Sequence, residues 1–297
     1  MMRPRRFRTA ALTTSALCAV ALPCSSPYAW AHGEPAAATT TTVTTATATA
    51  TASTTSTARS VTQQPGHPII LYPGRQGTAV APCPEGTKPT GGGATIGFNP
   101  LGAVFFKESA PSGNLWRVRV YNSSDEVLTV HPRVVCSTDA TLTHQVGPDA
   151  PLEPGDPNNP STARCSDSQY VVGGGFQAGD RTYASATHWS NGNWTARAKY
   201  TNYDPDAPLS FVRAFISCSD TAAALASSGS VPVEAGEVGT AHAECPAGQV
   251  PSGGGGSGGI DVLLTTSGPT ETGWTVQAKN TGSVRNTLFA ETMCTAP

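Results

Sequence analysis

Charge is scarce in this chain. Only 13% of its 297 residues are Asp, Glu, Lys or Arg, against roughly 25% in ordinary soluble proteins. Lysine is confined to Lys88, Lys107, Lys199 and Lys279, and no segment gathers basic residues into a stripe. A surface that tracks phosphates needs such a stripe, so nucleic-acid binding is excluded. Uninterrupted helical windows are also wanting, because 25 prolines are spread along the chain and each breaks a helix interior. An all-helical or coiled-coil protein is therefore ruled out. The apolar run from Ala10 to Leu22 is too short to cross a bilayer.

What is present begins with a secretory leader over residues 1–31. Arg3, Arg5, Arg6 and Arg8 precede the apolar run, and Ala29-Trp30-Ala31 supplies a small-residue cleavage site. Arg5-Arg6 hints at twin-arginine export, but the residues after it fit general secretion better. Cys18 follows Leu17 and Cys24 follows Pro23, so neither is a good lipidation site; no membrane anchor is expected. Removing four of the 18 basic side chains leaves 14 against 20 acids, a balance of −6 that suits an extracellular protein. The wealth of Ala, Gly, Pro and Thr points to a GC-rich, actinobacterial source. Residues 32–66 read as a linker, since Ala36 to Ala58 is almost all Ala and Thr and buries too little to offset the entropy of folding.

Beyond the linker one unit is written three times. Cys83, Cys136, Cys165, Cys218, Cys245 and Cys294 recur at intervals of 76 to 82 residues. The triplets Gly91 to Gly93, Gly173 to Gly175 and Gly253 to Gly255 keep the same register, as do Trp116, Trp194 and Trp274. The units are 67–140, 141–222 and 223–297. After each tryptophan the side chains alternate: Trp116, Val118 and Val120 oppose Arg117, Arg119 and Tyr121, and the later units repeat the pattern. That period of two predicts half-buried antiparallel strands, five or six to a unit. Asn191-Gly192 predicts a tight hairpin, and Pro132 predicts an edge or a bulge in its strand.

Six cysteines in an exported chain of small units read as disulfides. Two pairings respect the repeat. In one, each unit closes on itself: Cys83 with Cys136, Cys165 with Cys218, Cys245 with Cys294. In the other, neighbouring units are joined. Self-closure is expected, each loop adding roughly 4 kcal/mol in the chain-entropy model. Zinc would need close ligand pairs that are absent here. The glycine triplets lack the Lys and Ser or Thr of a phosphate loop, so they read as places where a large ring packs close, with the repeat tryptophan as the ring.

Catalytic patterns fail one by one. Gly255-Gly256-Ser257-Gly258-Gly259 matches a nucleophile elbow in spelling, yet no His follows His242 and no helix can start there. His67, His131, His144, His188 and His242 are isolated, so no metal or cofactor is expected. The loop acids Asp149, Glu153, Asp156, Asp204 and Asp206 match no calcium spacing. Trp189 alone among the later tryptophans is not explained by the repeat, which carries Pro111 and Pro269 at that place. With His188 and with Tyr183 on one period-two face, it could form an aromatic platform for a glycan.

Cys245-Pro246-Ala247-Gly248, the glycine triplet, Ser267-Gly268-Pro269, Trp274 to Asn280 and Cys294 resemble a repeat of secreted proteins from Streptomyces-like actinobacteria. The resemblance spans about residues 68 to 297 and implies no activity. A weaker similarity is to the vitelline membrane outer layer protein, whose threefold β-prism also uses Gly-rich repeats. The expected fold is all-β: three stapled units, either as tandem sandwiches, which are preferred, or as one prism. The expected function is non-catalytic binding of an extracellular glycan or protein, with a secreted hydrolase whose site lies between units as the alternative.

Overall fold

A computed structural model describes residues 59–99, 101–153, 159–201 and 209–297. The expected leader, the expected linker up to residue 58, and Asp156, Asp204 and Asp206 lie outside those residues. The described chain is all strand and turn, and each unit supplies seven strands instead of the expected five or six. The first has β1 (Val61–Pro65), β2 (Ile69–Leu71), β3 (Gln76–Pro82), β4 (Lys88–Ile96), β5 (Val104–Ser112), β6 (Leu115–Asn122) and β7 (Leu128–Ser137). The second has β8 (Thr143–Val146), β9 (Ala150–Leu152), β10 (Ser161–Arg164), β11 (Tyr170–Ala178), β12 (Thr182–Ser190), β13 (Asn193–Tyr200) and β14 (Ser210–Ser219). The third has β15 (Ala224–Ser227), β16 (Val231–Val233), β17 (Val238–Glu244), β18 (Val250–Gly258), β19 (Val262–Pro269), β20 (Gly273–Asn280) and β21 (Asn286–Thr295). Val61–Pro65, within the stretch expected to be linker, is instead strand β1, paired with β7.

Tandem sandwiches are not what these strands build. Every sheet has seven strands, and every sheet takes four from one unit and three from another. The first sheet joins β1, β2, β4 and β7 to β17, β19 and β20; the second joins β3, β5 and β6 to β8, β9, β11 and β14. The third joins β10, β12 and β13 to β15, β16, β18 and β21, so the exchange closes from the third unit back onto the first. One core containing Trp116, Trp194, Trp274, Phe106, Phe176 and Ile216 serves all three. This is the prism alternative.

The disulfides are the self-closing set, Cys83–Cys136, Cys165–Cys218 and Cys245–Cys294, each with Cα atoms 5.6 Å apart. Self-closure in sequence is cross-linking in space. Cys83 follows β3 of the second sheet while Cys136 lies in β7 of the first, and the other two bridges join the remaining pairs of sheets in the same way. Such bonds are common in oxidising compartments and rare in reducing ones.

Short ladders hold the sheets together where units meet, and lysines reinforce them. Lys107 Nζ reaches Asp180 of the second unit (3.4 Å), Lys199 Nζ reaches Asp261 of the third (2.5 Å), and Lys279 Nζ donates to the Leu101 carbonyl of the first (2.8 Å). Lys107 is almost fully buried, and burial lowers its pKa against the opposing pull of Asp180. The fourth lysine, Lys88, donates to the Leu142 carbonyl at 3.0 Å. A chain poor in charge has spent all its lysines on seams.

Candidate functional site

In a threefold scaffold, features the fold needs recur three times, so a feature that occurs once is a candidate for function. Three departures stand out. The loop between β4 and β5, residues 97–103, is longer by four residues than its counterparts 179–181 and 259–261. It leaves Phe98 87% and Leu101 68% exposed beside Val127, on the lip of a groove of about 540 Å³. The second departure is a buried ionic knot on the second sheet. There Glu108 is held by Arg117 at 2.6 Å and faces Arg119 at 3.6 Å. The third is Trp189.

Trp189 sits at the end of β12, opposite Trp194 of β13. The expected platform with Tyr183 does not form on one face. The β12 to β13 register slips between Ala184 and Ala186, so Ser185 is an extra residue in the strand. One extra residue inverts every side chain beyond it. Tyr183 therefore pairs with Lys199 on the outer face, whereas Thr187 and Trp189 pair with Ala196 and Trp194 on the inner one. Tyr183 packs with Phe105 (5.3 Å between ring centres) and Tyr121 (5.8 Å), and its burial pushes the phenol pKa up to about 12. His188 points with Tyr183's side of the sheet toward Glu291, Nδ1 to Oε2 3.7 Å.

Another aromatic residue, marked by no periodicity, takes the place intended for Tyr183. Tyr170 opens β11 in the second sheet and shares with Trp189 a cleft of about 280 Å³, together with Gln169, Val171, Leu225 and Met293. The cleft lies where the second unit meets the third. Tyr170 is 54% exposed and Leu225 39%, while Trp189 is half-buried and rests on the core.

The equivalent seams are built differently. Leu225 corresponds in register to His144 and Gln63, which pair with Ser217 and Val135 as Leu225 pairs with Met293. His144 Nε2 donates to the Pro89 carbonyl at 2.7 Å, and Gln63 Nε2 donates to the Thr270 carbonyl, so both cross their seams with a hydrogen bond. Leu225 makes the third crossing apolar. The seam between the third and first units also holds a cleft, of about 410 Å³, but Arg133 and Glu271 line it and no aromatic ring does.

Ser257, the central residue of the apparent nucleophile elbow, lies within β18 and pairs with Phe289, far from any strand-to-helix turn. Among the described residues no group of three or more His, Cys, Asp or Glu could hold a metal ion. Of the basic residues expected on outer faces, Arg117, Arg119 and Lys199 are engaged by Glu108 or Asp261, and Arg197 stays exposed. No protein-family model matches the chain, and no curated protein matches it.

Proposed function

We propose that the chain is an exported, non-catalytic binding protein whose cleft between the second and third units takes a sugar ring of an extracellular glycan. The observation that carries this reading is Trp189 with Tyr170: an indole and a phenol on an open, apolar-floored cleft, at the seam where Leu225 stands in place of the hydrogen-bonding His144 and Gln63. Sugar rings present C–H faces that stack on aromatic rings and hydroxyls that bond at a polar rim, here supplied by the neighbourhood of Gln169. A size just under the roughly 300 to 1,000 Å³ of typical small-molecule sites suits one ring at the end of a chain or along it. The leader, the oxidised staples and the Ala/Thr stalk support presentation outside the cell.

The test is retention of the full exported chain on immobilised cell-wall polysaccharide, chitin and cellulose. Retention on at least one is expected, weakened about tenfold or more in Trp189→Ala and Tyr170→Ala, as the loss of one stacking ring of 1 to 2 kcal/mol would give. No retention on any glycan support, or turnover of ester, glycoside or peptide substrates, overturns the reading.

A further inference from the structure

Trp189 raises a backbone problem that its counterparts do not have. Pro111 and Pro269 stand at the same register position, opposite Trp116 and Trp274. The ladder that joins β12 to β18 stops at Thr187 and Gly256, so the strand has no β18 partner at residue 189. Proline has no N–H to satisfy there, but tryptophan does, and an unpaired donor in a half-buried place costs free energy. The Trp189 N–H is met by the Glu291 carboxylate, 3.1 Å away on β21 of the third unit. Gly255 lies between them in the sheet, paired with Glu291. The residues equivalent to Glu291 are Arg133 and Phe215, paired with Gly93 and Gly175, and neither offers an acceptor. Tryptophan and glutamate thus depart from the repeat together.

We infer that Glu291 is a positioning residue for the cleft: its carboxylate caps the Trp189 N–H from across the seam and fixes the indole against Tyr170 and Leu225. The same Oε2 faces His188 Nδ1, so two successive residues of β12 are tied to the third unit through one side chain. The inference deepens the glycan reading and rests on the same cleft, but it can be decided without a ligand.

The deciding experiment is a double-mutant cycle in the full chain, combined with amide exchange at Trp189. Glu291→Ala should speed exchange of that amide about tenfold, the effect of one lost hydrogen bond, and should raise acrylamide quenching of Trp189 fluorescence. Glu291→Gln, which keeps an acceptor oxygen, should restore most of the protection. Glu291→Arg copies the residue found in the first unit and should behave like the alanine variant if the fold is intact. In a Trp189→Pro background, which removes the donor, Glu291→Ala should change the unfolding midpoint far less than in wild type. Unchanged exchange at Trp189 in both Glu291→Ala and Glu291→Arg, or strict additivity in the cycle, overturns the inference. If the capping behaviour holds while no polysaccharide is retained, the glycan reading falls and the role of Glu291 stands.

Discussion

The three glycines of each triplet answer to three different neighbours. A Cβ on Gly91 would lie 2.5 Å from the Gly253 Cα, and one on Gly253 would lie 2.5 Å from the Gly173 Cα, so the first glycines meet one another at the centre. The second glycines are floors for the tryptophans: Gly92 under Trp116, Gly174 under Trp194 and Gly254 under Trp274. The third face carbonyls of the preceding unit around the ring, Gly93 against Ser267, Gly175 against Ser109 and Gly255 against Thr187. Packing against the repeat tryptophan therefore accounts for the middle glycine only. Each indole also donates to a hydroxyl seven residues back, Trp116 to Ser109 at 2.9 Å, Trp194 to Thr187 at 2.8 Å and Trp274 to Ser267 at 3.0 Å. Gly174→Ala should cost about 3 kcal/mol or more, since backbone lies on one side of the new methyl and a locked ring on the other. Gly268→Ala, whose nearest neighbour would be 3.6 Å away, should be close to neutral. Denaturant midpoints compare the two directly, and equal losses would refute this account of the triplet.

At the scale of elements, a chain of hydroxyls runs around the central strands and is broken once. Thr90 Oγ1 donates to the Ser252 carbonyl, and Ser252 Oγ donates to the Val172 carbonyl at 2.7 Å. Val172 holds the third place and has no hydroxyl to return to Thr90. Val172→Thr should close the ring and add about 1 kcal/mol, because the acceptor is already in position; a fall in the urea midpoint would count against it. The connection from β7 to β8 makes this part of the molecule acid-sensitive. Burial lowers the His144 pKa below its ordinary 6.5, with Lys88 adding to the effect and the Pro89 carbonyl opposing it. Burial by itself would raise the Asp139 carboxyl, but hydrogen bonds from Ser219 and Thr141, with Arg59 nearby, outweigh it and hold the pKa below the ordinary 3.8. Both groups take up protons more readily when the chain is unfolded. Their stability is complete above those ordinary values and is lost as pH falls, through His144 first and Asp139 later. His144→Gln, which installs the residue that crosses the first seam as Gln63, should remove the loss of melting temperature between about pH 7 and about pH 5. A melting profile in that interval that the substitution leaves unaltered would exclude His144 as its source.

For the whole molecule, exchanged strands mean that no unit owns a complete core. Residues 141–222 expressed alone would leave β10, β12 and β13 without β18 and β21, and β11 and β14 without β5 and β6. That fragment should give the far-ultraviolet spectrum of an unfolded chain, whereas residues 59–297 should unfold in a single transition. A folded fragment with a cooperative melt would return the argument to independent sandwiches. Loss of any one bridge, such as Cys165→Ala with Cys218→Ala, should cost about 2 to 5 kcal/mol and loosen all three sheets together, because each bridge joins two of them. Protection from amide exchange in the first sheet of that variant is the reading that separates a shared core from a local one.

Repeat number, the faces of the strands that follow each repeat tryptophan, the Asn191-Gly192 turn and the cysteine pairing were all legible in the chain itself, because they follow from spacing and from a two-residue period that neighbours in sequence impose. Asn191 and Gly192 do adopt the positive φ angles, 50° and 80°, that such a turn requires. Pro132 was only half legible. It stands in an interior strand, at the gap between β1 and β2, where the equivalent N–H groups of Ala214 and Ala290 need the Ser161 and Ser228 hydroxyls. Trp189 also announced itself as the residue outside the pattern. What surrounds it did not: Tyr170 comes from another sheet, Glu291 from another unit, and Tyr183 is turned away by the extra residue at Ser185. Sheet membership and bulge position are fixed by pairing between strands distant in sequence, where ladder hydrogen bonds and a common core outweigh local preference. Those are the terms that only the folded structure could supply.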